Sequence, residues 1–168
     1  SVVALGVMAY TEERDAVWFA PAGFNRGGLN EGNSGVPVLQ VSEQLMAKDR
    51  DTLYEANVNP IASFVSEGIV IFGQKTLQST QSALDRINVR RLLIDIRRQV
   101  RNAANSLLFA PNRQETLESF TNLVNPILSN VKQGQGVNRF KVVIDSSTTT
   151  QADIENNTIR GNLNNYID

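Results

Sequence analysis

The residue types that most often carry catalysis are scarce in this chain of 168 residues, which has no cysteine and no histidine. Their absence removes disulfides, thiolate nucleophiles, imidazole bases and two of the commonest zinc ligands. The nearest candidates for acid–base chemistry are three carboxylates in one predicted helix, Asp49, Asp51 and Glu55. Such acidic runs usually face solvent, whereas acid–base work needs burial. The sequence therefore predicts no enzyme, no metal ion, no cofactor and no small-molecule substrate.

Arginine is the residue type that shows a spatial pattern. At about 100° per residue, the arginines between positions 86 and 101 fall within an arc of about 140° on one side of a predicted helix. Ile94 projects within that arc, while Leu92, Ile96 and Val100 lie on the opposite, apolar side. An apolar residue among arginines predicts a contact surface. The candidate contact residues are Arg86, Arg90, Arg91, Ile94, Arg97, Arg98 and Arg101.

Two other interpretations of this basic side stay open. In the first, it is a solvated face whose arginine stems cover the core. For the chain as a whole, a generic oligomerisation or binding domain is a separate alternative. Alternatively the helix, from Arg86 to Arg101, binds nucleic acid, which would call for aromatic stacking groups or groove-reading residues nearby. No aromatic interleaves these arginines, and 16 basic residues against 17 acidic ones give a formal charge of -1. Nucleic acid is therefore disfavoured, and apolar runs far shorter than the ~20 residues of a membrane span predict no membrane.

Two long helices must position these residues. Apolar residues recurring at three- and four-residue steps predict helices over about 89–109 and about 112–133. In the second helix, Asn112 and Glu115 resemble a capping box, and Pro126 predicts a kink.

Shorter elements surround these two helices. The pattern predicts a helix over 42–56 and a short helix near Asp153, reached through a polar turn. Strands are predicted over 17–23, 61–64, 69–72, 139–144 and 158–167, and a long surface loop over 23–35. The predicted fold class is α+β, a mixed β-sheet flanked by the two main helices in one domain over 1–168.

Several stretches resemble, in the same order and at similar spacing, the C-terminal region of contractile tail sheath proteins of bacteriophages. They lie at 17–23, at 59–61, at 68–77 leading to Asn88-Val89-Arg90-Arg91-Leu92, at 109–112, and at 140–145 with 148–150 and 153–154. No single stretch is specific, because each could occur anywhere. The resemblance is carried by their ordered combination, which covers nearly the whole chain.

The resemblance implies a structural subunit of the contractile sheath of a phage or phage-like tail. Such subunits assemble helically around the tail tube and drive contraction, and viral genome ejection, by shifting between two packings without a cofactor. The implied partners are other sheath subunits, the tail tube protein and the baseplate. The resemblance also implies that the arginine helix docks on acidic patches of the tube. The implied location is the virion tail, after synthesis in the host bacterial cytoplasm.

Family members also carry N- and C-terminal arms that add strands to sheets in neighbouring subunits. The sequence lacks both long arms, so we expect a C-terminal sheath-like domain cut from a longer parent. Strand donation between subunits relies on main-chain hydrogen bonds. We therefore expect 1–168 to be a folded monomer that does not polymerise. The sequence leaves open whether the particle that carries the sheath is a phage, a bacteriocin or another injection system.

Overall fold

The structure is a computed structural model that describes residues 2–30, 32–145, 147–156 and 158–166. The chain divides into two compact units, Ser1–Leu92 and Leu93–Asp168. This division does not test whether 1–168 is one domain, so the single domain stays a prediction.

Helices and short strands build both units. The first contains α1 (Val2–Arg14), α2 (Ala47–Glu55), β1 (Ile61–Phe64), β2 (Gly68–Ile71) and a 3-10 turn (Ala83–Asp85). Helix α3 (Ile87–Asn105) begins in the first unit and continues into the second. The second unit contains α4 (Gln114–Gln133), β3 (Arg139–Val143), α5 (Gln151–Glu155) and β4 (Asn162–Tyr166). These elements confirm the α+β class.

The predicted single mixed sheet is wrong. Within the described ranges, β1 pairs with β2 and β3 pairs with β4, both antiparallel and in separate two-stranded sheets. β1 and β2 are joined by a tight turn that ends at Gly68, whose φ of +74° is costly for residues with a side chain. Such a short connection reverses the chain, whereas parallel strands need a long crossover.

Part of the predicted surface loop 23–35 lies in the core of the first unit. Leu29 is fully buried, and it packs in a cluster with Val7, Ile69 and Ile71. The segment around it pairs with β2, since the Leu29 N–H donates to the Ile69 carbonyl at 2.8 Å. A Cβ on Gly27 would lie 2.8 Å from the Ile71 carbonyl oxygen, so glycine is what permits this approach.

Helix α1 was not predicted, and residues 17–23 form turns instead of the predicted strand. α1 lacks a polar side, since Val2 and Leu5 are exposed while Val7 is buried, and so it shows no helical period. The contacts of the 17–23 segment are partly local and partly with β2, since the Gly23 N–H donates to the Ile71 carbonyl at 2.8 Å. The Phe19 N–H donates to the Ala16 carbonyl at 3.2 Å, as in a turn.

Both main helices are shorter than predicted. α3 ends at Asn105 instead of 109, because the next residues form a turn with three-residue hydrogen bonds, such as that from the Leu107 N–H to the Ala104 carbonyl at 3.0 Å. Phe109 lies at the end of this turn with a φ of +66°, which a right-handed helix cannot contain. α4 begins at Gln114 instead of 112, after a turn in which the Arg113 N–H donates to the Pro111 carbonyl at 2.9 Å.

That turn makes Arg113 the N-cap residue, so the predicted capping box of Asn112 and Glu115 is wrong. α4 ends before Gly134 as predicted. Pro126 lies inside α4, and a kink there stays a prediction.

The remaining predicted elements are largely present. α2 covers the later part of 42–56, and the strands over 61–64, 69–72 and 139–144 match β1, β2 and β3 within a residue. α5 confirms the short helix near Asp153, and β4 is the later part of the predicted strand 158–167. Ser146 in the predicted polar turn and Ile167 in the predicted strand lie outside the described residues.

A buried carboxylate organises the polar turn before α5. Asp153 Oδ2 accepts hydrogen bonds from the Thr150 N–H at 3.0 Å and the Thr150 hydroxyl at 2.7 Å. Its Oδ1 lies 2.8 Å from Arg160 Nε, and the Asp153 side chain is 10% exposed. The Thr150 hydroxyl and N–H, together with Arg160, hold the pKa of Asp153 below its ordinary value.

We expect Asp153→Asn to lower the Tm of the chain at pH 7. A carboxyl with a depressed folded pKa stabilises the fold above its unfolded pKa of about 3.9, and this contribution is lost as pH falls through the folded pKa. The Tm difference between the native chain and the variant should therefore shrink as pH drops below about 4. Asp51→Asn is the control, because the Asp51 carboxylate makes no hydrogen bond or ion pair within the described ranges. A Tm difference that stays constant down to about pH 2 would contradict this role.

Candidate functional site

The basic side of α3 is where the predicted contact residues can be placed. The helix has 19 residues and is about 28 Å long. Its inner side buries Val89, Leu92 and Ile96, which confirms the predicted apolar side. On the other side Ile94 is 58% exposed among arginines, as the spacing predicted.

Arg91 has a structural partner. Its Nη2 donates to the Met8 carbonyl at 3.1 Å and to a Glu12 carboxylate oxygen at 2.8 Å, both on α1. The Arg91 side chain is only 16% exposed. This arginine therefore ties α3 to α1 within the first unit and presents little charge to a partner.

Two further candidates are paired with nearby groups. Arg86 lies before α3 in extended conformation, so the helical spacing does not fix its direction. Its Nε lies 3.2 Å from Asp85 Oδ1, and its Nη1 donates to the Tyr54 hydroxyl at 2.7 Å. Arg98 pairs with the buried Asp95 at 2.7 Å. Their charges are partly neutralised inside the molecule.

The remaining arginines are Arg90, Arg97 and Arg101. Their side chains are exposed, and none of them makes a hydrogen bond or ion pair within the residues that the structure describes. With Ile94 they fall within an arc of about 60° and span about 16 Å along the helix. These four residues form the exposed arginine face. This face can pair with carboxylates on a partner at little internal cost.

An apolar groove borders this face in the second unit. It is formed between α3 and β4 and has a volume of about 510 Å³. Its lining residues are Leu93, Ile96, Arg97, Val100, Arg101, Ala104, Leu163 and Asn165. Sequence reasoning missed the groove, because β4 is distant in the chain and its placement depends on tertiary packing.

The other candidate groups are not brought together into a reactive site. Asp49, Asp51 and Glu55 are exposed, and Asp49 accepts a hydrogen bond from the Met46 N–H at 2.9 Å at the start of α2. Among the residues described, no cluster of three or more potential metal ligands is found. The Gly27 and Leu29 main chain, in the predicted loop, is engaged with β2 and not free to cradle a phosphate. No helix in the described ranges is both long and apolar enough to cross a membrane.

Solved structures with the same fold come from contractile injection systems. The chain matches the cryo-EM structure of the anti-feeding prophage baseplate with a TM-score of 0.86 and 24% identity, over 98% of this chain and 45% of that one. It also matches the contracted sheath complex of the extracellular contractile injection system PVC, with a TM-score of 0.83 and 22% identity, over 98% and 46% of the two chains. At these identities the likeness establishes the fold.

Sequence similarity points to tail sheath proteins. The chain is 38% identical over 152 residues to the tail sheath protein of Vibrio phage KVP40, which is 90% of this chain and 22% of that protein. It is 31% identical over 152 residues to the tail sheath protein of Enterobacteria phage T4, again over 90% and 22%. The chain thus spans about a fifth of the length of these relatives. No protein-family model matches it. The resemblance to contractile tail sheath proteins is confirmed.

Proposed function

We propose that this chain is part of a structural subunit of the contractile sheath of a phage tail, and that it has no enzymatic activity. The subunit assembles helically with copies of itself around the tail tube, contacts the baseplate, and drives contraction. It is made in the host bacterial cytoplasm and resides in the virion tail. Support comes from relatives named tail sheath protein and from the shared fold with a contracted sheath.

The exposed arginine face is the part of this chain that meets the tube. The observation that carries this assignment is the set of three arginines around the exposed Ile94, on one side of one helix, that have no partner among the described residues. Buried charges need partners, whereas exposed ones can pair across an interface. We assign the partner as an acidic surface of the tube protein. The main role of Arg86, Arg91 and Arg98 is to pair with groups inside the molecule, and contact with the tube is secondary.

Weak contacts suit this role. Ion pairs between exposed side chains are individually weak and are screened by salt. Repeated over many subunits in a helical array, they act as a multivalent attachment whose strength exceeds that of any one contact. Such an attachment holds an extended sheath on its tube and still lets each subunit detach when the sheath changes its packing.

Binding to purified tail tubes tests this function against nucleic-acid binding. The chain is mixed with tubes from the parent phage, or with duplex DNA, at about 0.05 M and about 0.5 M salt, and bound protein is measured by sedimentation. We expect the chain to bind tubes at low salt, to bind them more weakly at high salt, and to leave DNA unbound. Salt-sensitive retention on DNA without binding to tubes would overturn the proposal.

A further inference from the structure

The groove between α3 and β4 combines an apolar floor with charged edges. The floor includes Leu93, Val100 and Ala104 from α3 and Leu163 from β4. Arg97 and Arg101 line the same groove. This arrangement differs from a plain basic patch, since apolar surface lies directly beside two cationic groups.

Neither arginine at the edge of the groove has a partner in the part of the chain that the structure describes. Arg97 and Arg101 are four residues apart on α3, so their Cβ atoms are about 5–6 Å from each other. No acidic residue lines the groove, and neither guanidinium is hydrogen-bonded within the described ranges. The groove therefore offers two cationic donors beside an apolar floor.

We propose that this groove receives an apolar side chain from an acidic segment of the tail tube protein, flanked by two carboxylates that pair with Arg97 and Arg101. The inference rests on the proposed function and adds the chemistry of the segment that is bound. A carboxylate spacing of about 5–6 Å, such as one helical turn, matches the spacing of the arginines.

Charge complementarity selects this occupant. A purely apolar segment would cover Arg97 and Arg101 and leave them desolvated without partners, which is costly. A nucleic-acid backbone would neutralise the arginines but would leave the apolar floor unfilled, and no aromatic residue lines the groove to stack a base. A segment that carries both carboxylates and an apolar side chain fills the apolar floor and also pairs with both arginines.

Two components of binding follow from this geometry. The carboxylate–arginine pairs weaken as salt rises, because exposed charges are screened. Burial of the apolar side chain does not depend on charge and persists at high salt. Substitution of the two arginines should therefore change the salt dependence of binding. Substitution of the apolar floor should change the affinity that remains at high salt.

The test measures the affinity of the chain for purified tail tubes across a range of salt for four variants. Ala104→Leu fills the groove, Leu93→Gln makes its floor polar, and Arg97→Gln with Arg101→Gln removes the charges. Asn102→Leu is the matched control, because Asn102 is exposed and lies on the opposite side of α3. Thermal unfolding of each variant shows that it remains folded.

We expect Ala104→Leu and Leu93→Gln each to weaken binding at least about fivefold at all salt concentrations, with an unchanged salt dependence. The double arginine variant should weaken binding at low salt and flatten the salt dependence, and Asn102→Leu should change affinity less than about twofold.

If the native chain binds tubes and both groove variants bind as well as Asn102→Leu, the groove proposal is wrong and the proposed function stands. If the native chain does not bind tubes at any salt concentration, the proposed function itself fails. Should Ala104→Leu unfold, Leu93→Gln decides, because it lines this groove without enlarging a side chain.

Discussion

Reversal of Arg90, Arg97 and Arg101 to Glu is expected to weaken binding of the chain to tail tubes by at least about 100-fold, and to block assembly of the full-length sheath on its tube. Each substitution replaces an attraction to an acidic partner with a repulsion, and like charges facing each other across an interface cost several kcal/mol. The fold should persist, since the three side chains are exposed and unpaired within the described ranges. Sedimentation with tubes measures the loss.

A matched triple variant separates this face from net charge. The control uses three exposed cations outside α3, namely Lys48, Arg113 and Lys141. Their reversal to Glu gives the same change in formal charge. We expect this variant to bind tubes within about threefold of the native chain. If the Arg90, Arg97 and Arg101 variant unfolds, the face is structural and its assignment as a contact surface is wrong.

Leu29→Ala is expected to lower the free energy of unfolding by about 2–5 kcal/mol, the usual cost of a Leu→Ala change in a close-packed core. Leu29 is fully buried with Val7, Ile69 and Ile71, so the truncation leaves a cavity in the centre of the first unit. Urea denaturation followed by circular dichroism measures the change.

The same substitution at Leu39 is the control. Leu39 is 90% exposed, so Leu39→Ala should change the free energy of unfolding by less than about 0.5 kcal/mol. Equal effects at the two positions would show that residues 27–29 do not pack in the core, and the surface loop predicted from the glycine content would then be correct.

Local periodicity was enough to find the helix that carries the exposed arginine face. Each turn of α3 repeats the same contrast between apolar and charged residues, so the buried Leu92 and Ile96 and the exposed Ile94 could be assigned from spacing alone. β1 and β2 were also predictable, because β-branched runs flank a turn that ends in glycine.

Features that depend on distant contacts could not be predicted in this way. Leu29 is buried only because the glycine-rich segment around it pairs with β2, some forty residues later in the chain. α1 has no polar side to mark it as amphipathic. Spacing placed Arg91 with the other arginines, but it could not show that the Met8 carbonyl and Glu12 would engage its side chain.

The most direct test of the central claim is a cryo-EM reconstruction of the extended sheath that contains this chain, assembled on its tail tube. The exposed arginine face should point at the tube, with guanidinium nitrogens of Arg90, Arg97 and Arg101 within about 4 Å of tube carboxylates. A reconstruction in which α3 points away from the tube, or packs only against neighbouring sheath subunits, would contradict the claim.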